Sequence, residues 1–130
     1  MKRVLSAILL VAATAFAFNA VADEMKAEKK PVTLKGEIVD TGCYIMAGAM
    51  GAKHKECGTK CIANGVPMGL LSGKTLYLLT MNHDDPDAYN KCKDMASAMV
   101  EITGVVAERN GVKAIDVMAV KLAPTAAATK

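Results

Sequence analysis

The stretch that decides the fold is Val100 to Leu122, VEITGVVAERNGVKAIDVMAVKL, where apolar and polar residues alternate on both sides of Asn110-Gly111. Alternation with a period of two is typical of half-buried strands. Asn-Gly between two such runs is the strongest short-range signal of a tight β-hairpin. The pattern therefore predicts strands over Val100–Glu108 and Val112–Leu122, joined through Arg109-Asn110-Gly111.

Three further strands are predicted upstream of this hairpin. Pro31 to Val39 alternates apolar with polar residues, and its interior Gly36 indicates a bulge or a sharp bend. Val66–Leu71 and Thr75–Met81 are apolar segments separated by Ser72-Gly73-Lys74, which is the pattern of a second hairpin.

The segments between the strands predict short helices. Asp40 to Gly51 predicts a loop with one helical turn, whereas Glu56 to Asn64 predicts a helix that Gly65 ends. Asp84-Asp85-Pro86 offers a side-chain N-cap with proline in the first turn, so we expect a helix from there to about Ser97.

This order of elements predicts a mainly β (α+β) fold, a five-stranded OB-like Greek-key barrel. It has a short helical insertion after the first strand and one helix between strands 3 and 4. A twisted open sheet covered by one helix would give a similar pattern. The expected domain spans 31–122, between a flexible arm at 23–30 and a disordered tail at 123–130.

The first 22 residues have the three zones of a secretory signal peptide. Lys2 and Arg3 precede an apolar run from Val4 to Phe18, and Ala20-Val21-Ala22 is a small-x-small cleavage motif. The apolar run is shorter than the roughly 20 residues that a membrane-spanning helix needs. We therefore expect cleavage before Asp23 and a periplasmic or secreted protein with no membrane span.

Charge and composition argue against a nucleic-acid partner. The chain has a formal net charge of +3, but two of its basic residues would leave with the signal peptide. The aromatic residues that remain are Tyr44, Tyr77 and Tyr89, which is a poor supply of stacking surfaces for single-stranded nucleic acid. The expected partner is an unidentified protein or envelope component.

The central functional question is the state of the four cysteines, Cys43, Cys57, Cys61 and Cys92. In an exported domain an even number of cysteines is typical of disulfides. Cys43 could pair with Cys61 or Cys57, while Cys92 could pair with the remaining cysteine or lie in the core as a small apolar residue. The alternative is a metal site that uses the thiolates as ligands.

The candidate metal ligands are Cys43, His54, Cys57 and Cys61. On a helix Cys57 and Cys61 lie one turn apart on the same face, and His54 and Cys43 could reach that face from the preceding loop. Thiolates and an imidazole suit copper or zinc. Thioethers of Met46, Met50 or Met68 would add a preference for copper(I). A weaker second candidate is His83 with Met81, although an exposed loop is the better interpretation there.

Catalytic motifs are missing from the sequence, which has no nucleophile elbow, phosphate-binding glycine loop or His-Glu-x2-His helix. We therefore predict no catalytic residues and favour a binding protein over an enzyme. A thiol-disulfide redox protein remains open, in which Cys57 and Cys61 would form a readily reducible bond.

Three motifs carry a resemblance to a group of small exported bacterial proteins. They are Gly42-Cys43-Tyr44 after the first strand, His54-x2-Cys57-x3-Cys61, and Gly65-x-Pro67-x-Gly69-Leu70-Leu71. The resemblance covers most of the chain after the signal peptide. It implies export and is compatible with an OB-like fold, and it implies no particular activity.

Overall fold

The computed structural model describes residues 29–124, which form a closed barrel of five strands with three α-helices. The expected signal peptide at 1–22, most of the arm at 23–30 and the tail beyond 124 lie outside the described residues. The strands are β1 (Val32–Asp40), β2 (Met68–Ser72), β3 (Thr75–Met81), β4 (Met99–Arg109) and β5 (Val112–Leu122). The helices are α1 (Thr41–Ala47), α2 (Lys55–Ala63) and α3 (Asp87–Cys92), with 3-10 turns at Ala52–His54 and Lys93–Met95.

The strands follow the order β1-β2-β3-β5-β4 around the barrel, and β4 returns to β1. Every pairing is antiparallel except that of β3 with β5, which is parallel. The OB-like barrel predicted from the sequence is therefore confirmed. The Asn110-Gly111 turn also forms as expected, since both residues have positive φ (51° and 81°) and Arg109 pairs with Val112.

Strand β1 contacts two neighbours along its length. Val32–Glu37 pairs with β4, and Glu37–Asp40 pairs with β2. Gly36 lies where the partners change, and a Cβ there would stand 2.4 Å from the carbonyl oxygen of Leu71. The interior glycine thus allows a close approach of two backbones, while the register shift of the sheet lies in β4, between Thr103 and Gly104.

The core fills the inside of the barrel and continues under α3, which packs against β3 and β5. Its fully buried aliphatic side chains come from four of the five strands: Ile38, Met68, Leu70, Val100, Ile102, Ile115 and Val117. Within residues 29–124 no helix has the length and apolar character needed to cross a bilayer.

Two helices differ from the sequence prediction. The expected loop after β1 contains a seven-residue helix, α1, because Asp40 caps its N-terminus and the left-handed Gly48 ends it. The helix expected to run to Ser97 ends at Cys92 and tightens into a 3-10 turn. It cannot continue, because Ser97 and Ala98 already exchange backbone hydrogen bonds with Ile38 of β1.

The predicted start of α3 is confirmed in part, because Asp85 supplies a side-chain hydrogen bond there although it is not the N-cap residue. Pro86 occupies the N-cap position without a side-chain hydrogen bond. Asp85 instead accepts a hydrogen bond from the Asp87 N–H, and Asn82 accepts from the N–H groups of Asp84 and Asp85. The loop is therefore organised by the Asn82 side chain.

The helical insertion, residues 41–67 between β1 and β2, leaves the barrel and returns to it at one point. The backbone N–H and the hydroxyl of Thr41 both donate to the carbonyl of Pro67, each at 2.9 Å. Before that point α2 ends as predicted at Gly65 (φ 93°), with Gly65 N–H bonded to Ile62 and Val66 N–H bonded to Cys61. The insertion thus has fixed ends, and it carries the candidate site.

Candidate metal centre

The structure brings a cluster of cysteine and histidine side chains together on the helical insertion. Cys43, His54 and Cys57 each place a ligand atom within 4.8 Å of the others. A second group with the same spacing consists of Asp40, Cys43 and Cys61. Cys43 belongs to both groups, and the two groups together contain all four residues predicted as ligands.

Three short elements position these side chains. Cys43 lies on α1, His54 ends the 3-10 turn that leads into α2, and Cys57 and Cys61 follow one turn apart on α2. Cys57 is exposed, whereas Cys43, Cys61 and His54 are half-buried. The cluster therefore opens to solvent at Cys57 and becomes more buried towards β1.

Asp40 forms the buried base of the cluster, and the sequence analysis did not identify it as a site residue. It is the last residue of β1 and is 1% exposed. One carboxylate oxygen accepts from the Cys43 N–H at 2.8 Å, and the other lies 2.7 Å from Nε2 of His54. The sequence does carry one signal for Asp40. An aspartate between a strand and a helix is a preferred N-cap, whose side chain accepts from the N–H of the second or third helical residue.

The Asp40–His54 contact determines which ring nitrogen is free. Burial raises the pKa of Asp40, but the hydrogen bonds from Cys43 and His54 outweigh it and hold the pKa below its usual value. The carboxylate is therefore ionised at neutral pH and can only accept, so Nε2 carries the hydrogen. In the neutral ring Nδ1 then keeps its lone pair, as in metal sites where a carboxylate orients the histidine ligand.

The thiols at the base of the cluster hold their protons firmly. The hydrogen bond to Asp40, followed by burial and the contact with Cys61, raises the pKa of Cys43 to about 12. Burial also raises the pKa of Cys61, although the hydrogen bond from Cys43 partly opposes this. Because thiolates are the form that binds metals, an incoming ion must displace these protons.

The distance between the two inner sulfur atoms fits a shared metal ion. Sγ of Cys43 and Sγ of Cys61 are 4.0 Å apart. Two thiolates on a tetrahedral zinc ion, with Zn–S bonds of about 2.3 Å, lie about 3.8 Å from each other. A trigonal ion with bonds of the same length would separate them by about 4.0 Å. The geometry is therefore compatible with either zinc or copper(I).

Cys92, Met68 and the second histidine lie outside the cluster. All four cysteines are free thiols, and no disulfide joins them. Cys92 is fully buried in the core, where its thiol donates to the carbonyl of Ala88. Met68 is also a core residue, which removes it as a candidate ligand, whereas Met46 and Met50 are exposed. His83 is exposed and belongs to neither group of ligating side chains.

Comparison of the chain with protein-family models, with curated proteins and with solved structures gives no match.

Proposed function

We propose that the protein is exported and binds a soft metal ion, copper(I) before zinc, through Cys43, His54, Cys57 and Cys61. The observation that carries the proposal is the convergence of these side chains around Cys43, with ligand atoms within 4.8 Å in each group. Three thiolates with one imidazole form a soft donor set, and soft donors select copper(I) over harder ions. Export is proposed from the pattern of residues 1–22 and from the resemblance to small exported proteins.

Two features favour a binding site over a chance grouping of side chains. The first is Asp40, a buried carboxylate that fixes both the N-terminus of α1 and the His54 ring. Such carboxylates behind a histidine ligand fix the ring orientation and increase its basicity. The second is solvent access, because Cys57 leaves one side of the cluster open for entry of an ion.

The test is a titration of the reduced exported protein with copper(I) and, separately, with zinc. Competition with a chromophoric chelator gives the affinity, and native mass spectrometry gives the number of ions bound. We expect one ion per chain, retained through desalting. Failure to retain either ion would refute the proposal.

Matched variants then locate the site. Cys61→Ser is compared with Cys92→Ser, because Cys92 lies in the core, and His54→Gln is compared with His83→Gln, because His83 is exposed. We expect Cys61→Ser and His54→Gln to weaken binding at least about tenfold and both controls to retain the wild-type affinity. Equal affinities within a pair would remove that residue from the ligand set.

Export has a separate readout. The intact mass of protein recovered from the periplasmic fraction should correspond to a chain that begins at Asp23. A full-length chain in the cytoplasmic fraction would contradict this part of the proposal.

A further inference from the structure

The contact between Cys43 and Cys61 points to a second chemistry at this cluster, which needs no metal. Their sulfur atoms are 4.0 Å apart, and the two residues lie on different helices. A disulfide bond is about 2.05 Å long, so each sulfur has to move by about 1 Å. Closing that gap requires rotation of the two cysteine side chains, which lie on short, partly exposed helices.

The sequence predicts Cys43 with Cys61 or Cys57 as a structural disulfide, and Cys57 with Cys61 as the readily reducible pair. Those residues are four positions apart within α2, and side chains at that spacing have Cβ atoms about 5–6 Å apart. A disulfide requires Cβ atoms about 3.5–4.5 Å apart. A bond between Cys57 and Cys61 would therefore distort the helix, whereas the bond between Cys43 and Cys61 joins two separate elements.

We propose that Cys43 and Cys61 form a reversible dithiol–disulfide pair that exchanges with low-molecular-weight disulfides such as glutathione disulfide. In the first step Cys61 loses its proton to solvent, and the small fraction present as thiolate attacks one sulfur of the external disulfide. The external S–S bond breaks, one thiol leaves, and Cys61 carries a mixed disulfide. In the second step Cys43 attacks Sγ of Cys61 and expels the second external thiol.

The reaction balances without another reactant. Two protein thiols lose two electrons and two protons and become one disulfide, while the external disulfide gains both and becomes two thiols. Cys57 and Cys92 remain thiols throughout. In the reverse direction two external thiols reduce the pair.

One consequence of the pair rests on the proposed metal function. The same two sulfur atoms serve as metal ligands, so the oxidised cluster would lack two of its four donors. Metal binding and disulfide formation are then mutually exclusive, and an oxidant would release the ion.

The experiment begins with metal-free protein, so that it does not depend on metal binding. The reduced exported chain is incubated with glutathione disulfide, quenched with an alkylating reagent under denaturing conditions, and mapped by peptide mass spectrometry. We expect one bridge between Cys43 and Cys61, with Cys57 and Cys92 alkylated. A bridge between Cys57 and Cys61, or no bridge, would overturn the proposal.

Cys57→Ser is the informative variant, because it separates the two functions. It removes a proposed metal ligand and leaves the dithiol pair intact, so we expect weaker metal binding together with the wild-type rate of disulfide formation. Loss of the Cys43–Cys61 bridge in this variant would contradict the assignment. Cys43→Ser should stop at the mixed disulfide on Cys61, because the second thiol is missing. Cys61→Ser should leave Cys43 reduced, and Cys92→Ser should behave as wild type.

The last arm uses protein preloaded with zinc. If the ion uses Cys43 and Cys61, loading should slow disulfide formation at least about tenfold, because bound thiolates are withdrawn from exchange. Oxidation at an unchanged rate in a protein shown to hold zinc would place the ion elsewhere and refute mutual exclusion. The bridge in metal-free protein would still stand on its own result.

Discussion

Replacing Asp40 with alanine tests the base of the cluster, because two of the contacts of this carboxylate, those with the Cys43 N–H and with His54, can be assigned separate magnitudes. Loss of the N-cap contact to the Cys43 N–H removes about 1 kcal/mol. Loss of the charged hydrogen bond with His54 removes about 1.5–3 kcal/mol. Since Asp40 is 1% exposed, water cannot replace these contacts. The free energy of unfolding should fall by about 2.5–4 kcal/mol.

The assay is urea unfolding of the reduced, metal-free protein at neutral pH. With a slope of about 1–3 kcal/mol per molar urea, the midpoint should fall by about 0.8–4 M. Asp40→Asn keeps an oxygen that can accept from Cys43 and should lose less, about 1–2 kcal/mol. Asp94→Ala is the control, because Asp94 is exposed. A loss below about 1 kcal/mol for Asp40→Ala, or equal losses for alanine and asparagine, would show that the two contacts do not stabilise the fold in this way.

Asp40 should also contribute to the fall of the unfolding free energy at acid pH. The pKa of Asp40 in the folded state is below its usual value. Its contribution is therefore complete above the unfolded pKa and is lost as the pH falls through the folded pKa. Unfolding free energies measured at decreasing pH should drop less steeply for Asp40→Asn than for wild type. Parallel acid limbs for the two proteins would contradict the assigned shift.

Three further predictions follow from contacts described above. Gly36→Ala should lower the free energy of unfolding, measured by heat or urea, by more than about 3 kcal/mol. The reason is that its Cβ would stand 2.4 Å from the backbone oxygen of Leu71. A loss below about 1 kcal/mol would argue against this close approach. Gly58→Ala should stabilise α2 by about 0.5–1 kcal/mol, because its Cβ would have only ordinary contacts at 3.5 Å; a clear loss would show that the helix packs more tightly. The apparent metal affinity should rise with pH, because binding displaces the proton of the Cys43 thiol, whose pKa is about 12. Equal affinities at about pH 6 and about pH 8 would contradict proton displacement.

The barrel was predictable because its strands carry strong local signals. The Asn110-Gly111 turn and the alternation on both sides of it determine the β4–β5 hairpin without help from the rest of the chain. The end of α3 was not predictable in the same way. It depends on hydrogen bonds between Ser97-Ala98 and Ile38, residues far apart in sequence, and no pattern within the helix reports that competition.

The cluster was predicted as a set of residues but without its base. Cys57 and Cys61 share a helix face by spacing alone, whereas the approach of Cys43 and His54 requires the α1 turn. That turn depends on Asp40 as its cap. A capping aspartate is common at helix starts, so its second contact with His54 became visible only once the insertion was folded against β1.

The paired hydrogen bonds from Thr41 to Pro67 close the base of the insertion, so we expect the insertion to open separately from the barrel. Breaking a few contacts around residues 41–67 would expose the insertion's amides and leave the barrel ladder paired, which is the behaviour of a local unfolding unit. Amide hydrogen exchange should then be faster in α1 and α2 than in β4 and β5. Such openings would give an ion or a small disulfide access to the inner sulfur atoms of the insertion while the barrel stays folded.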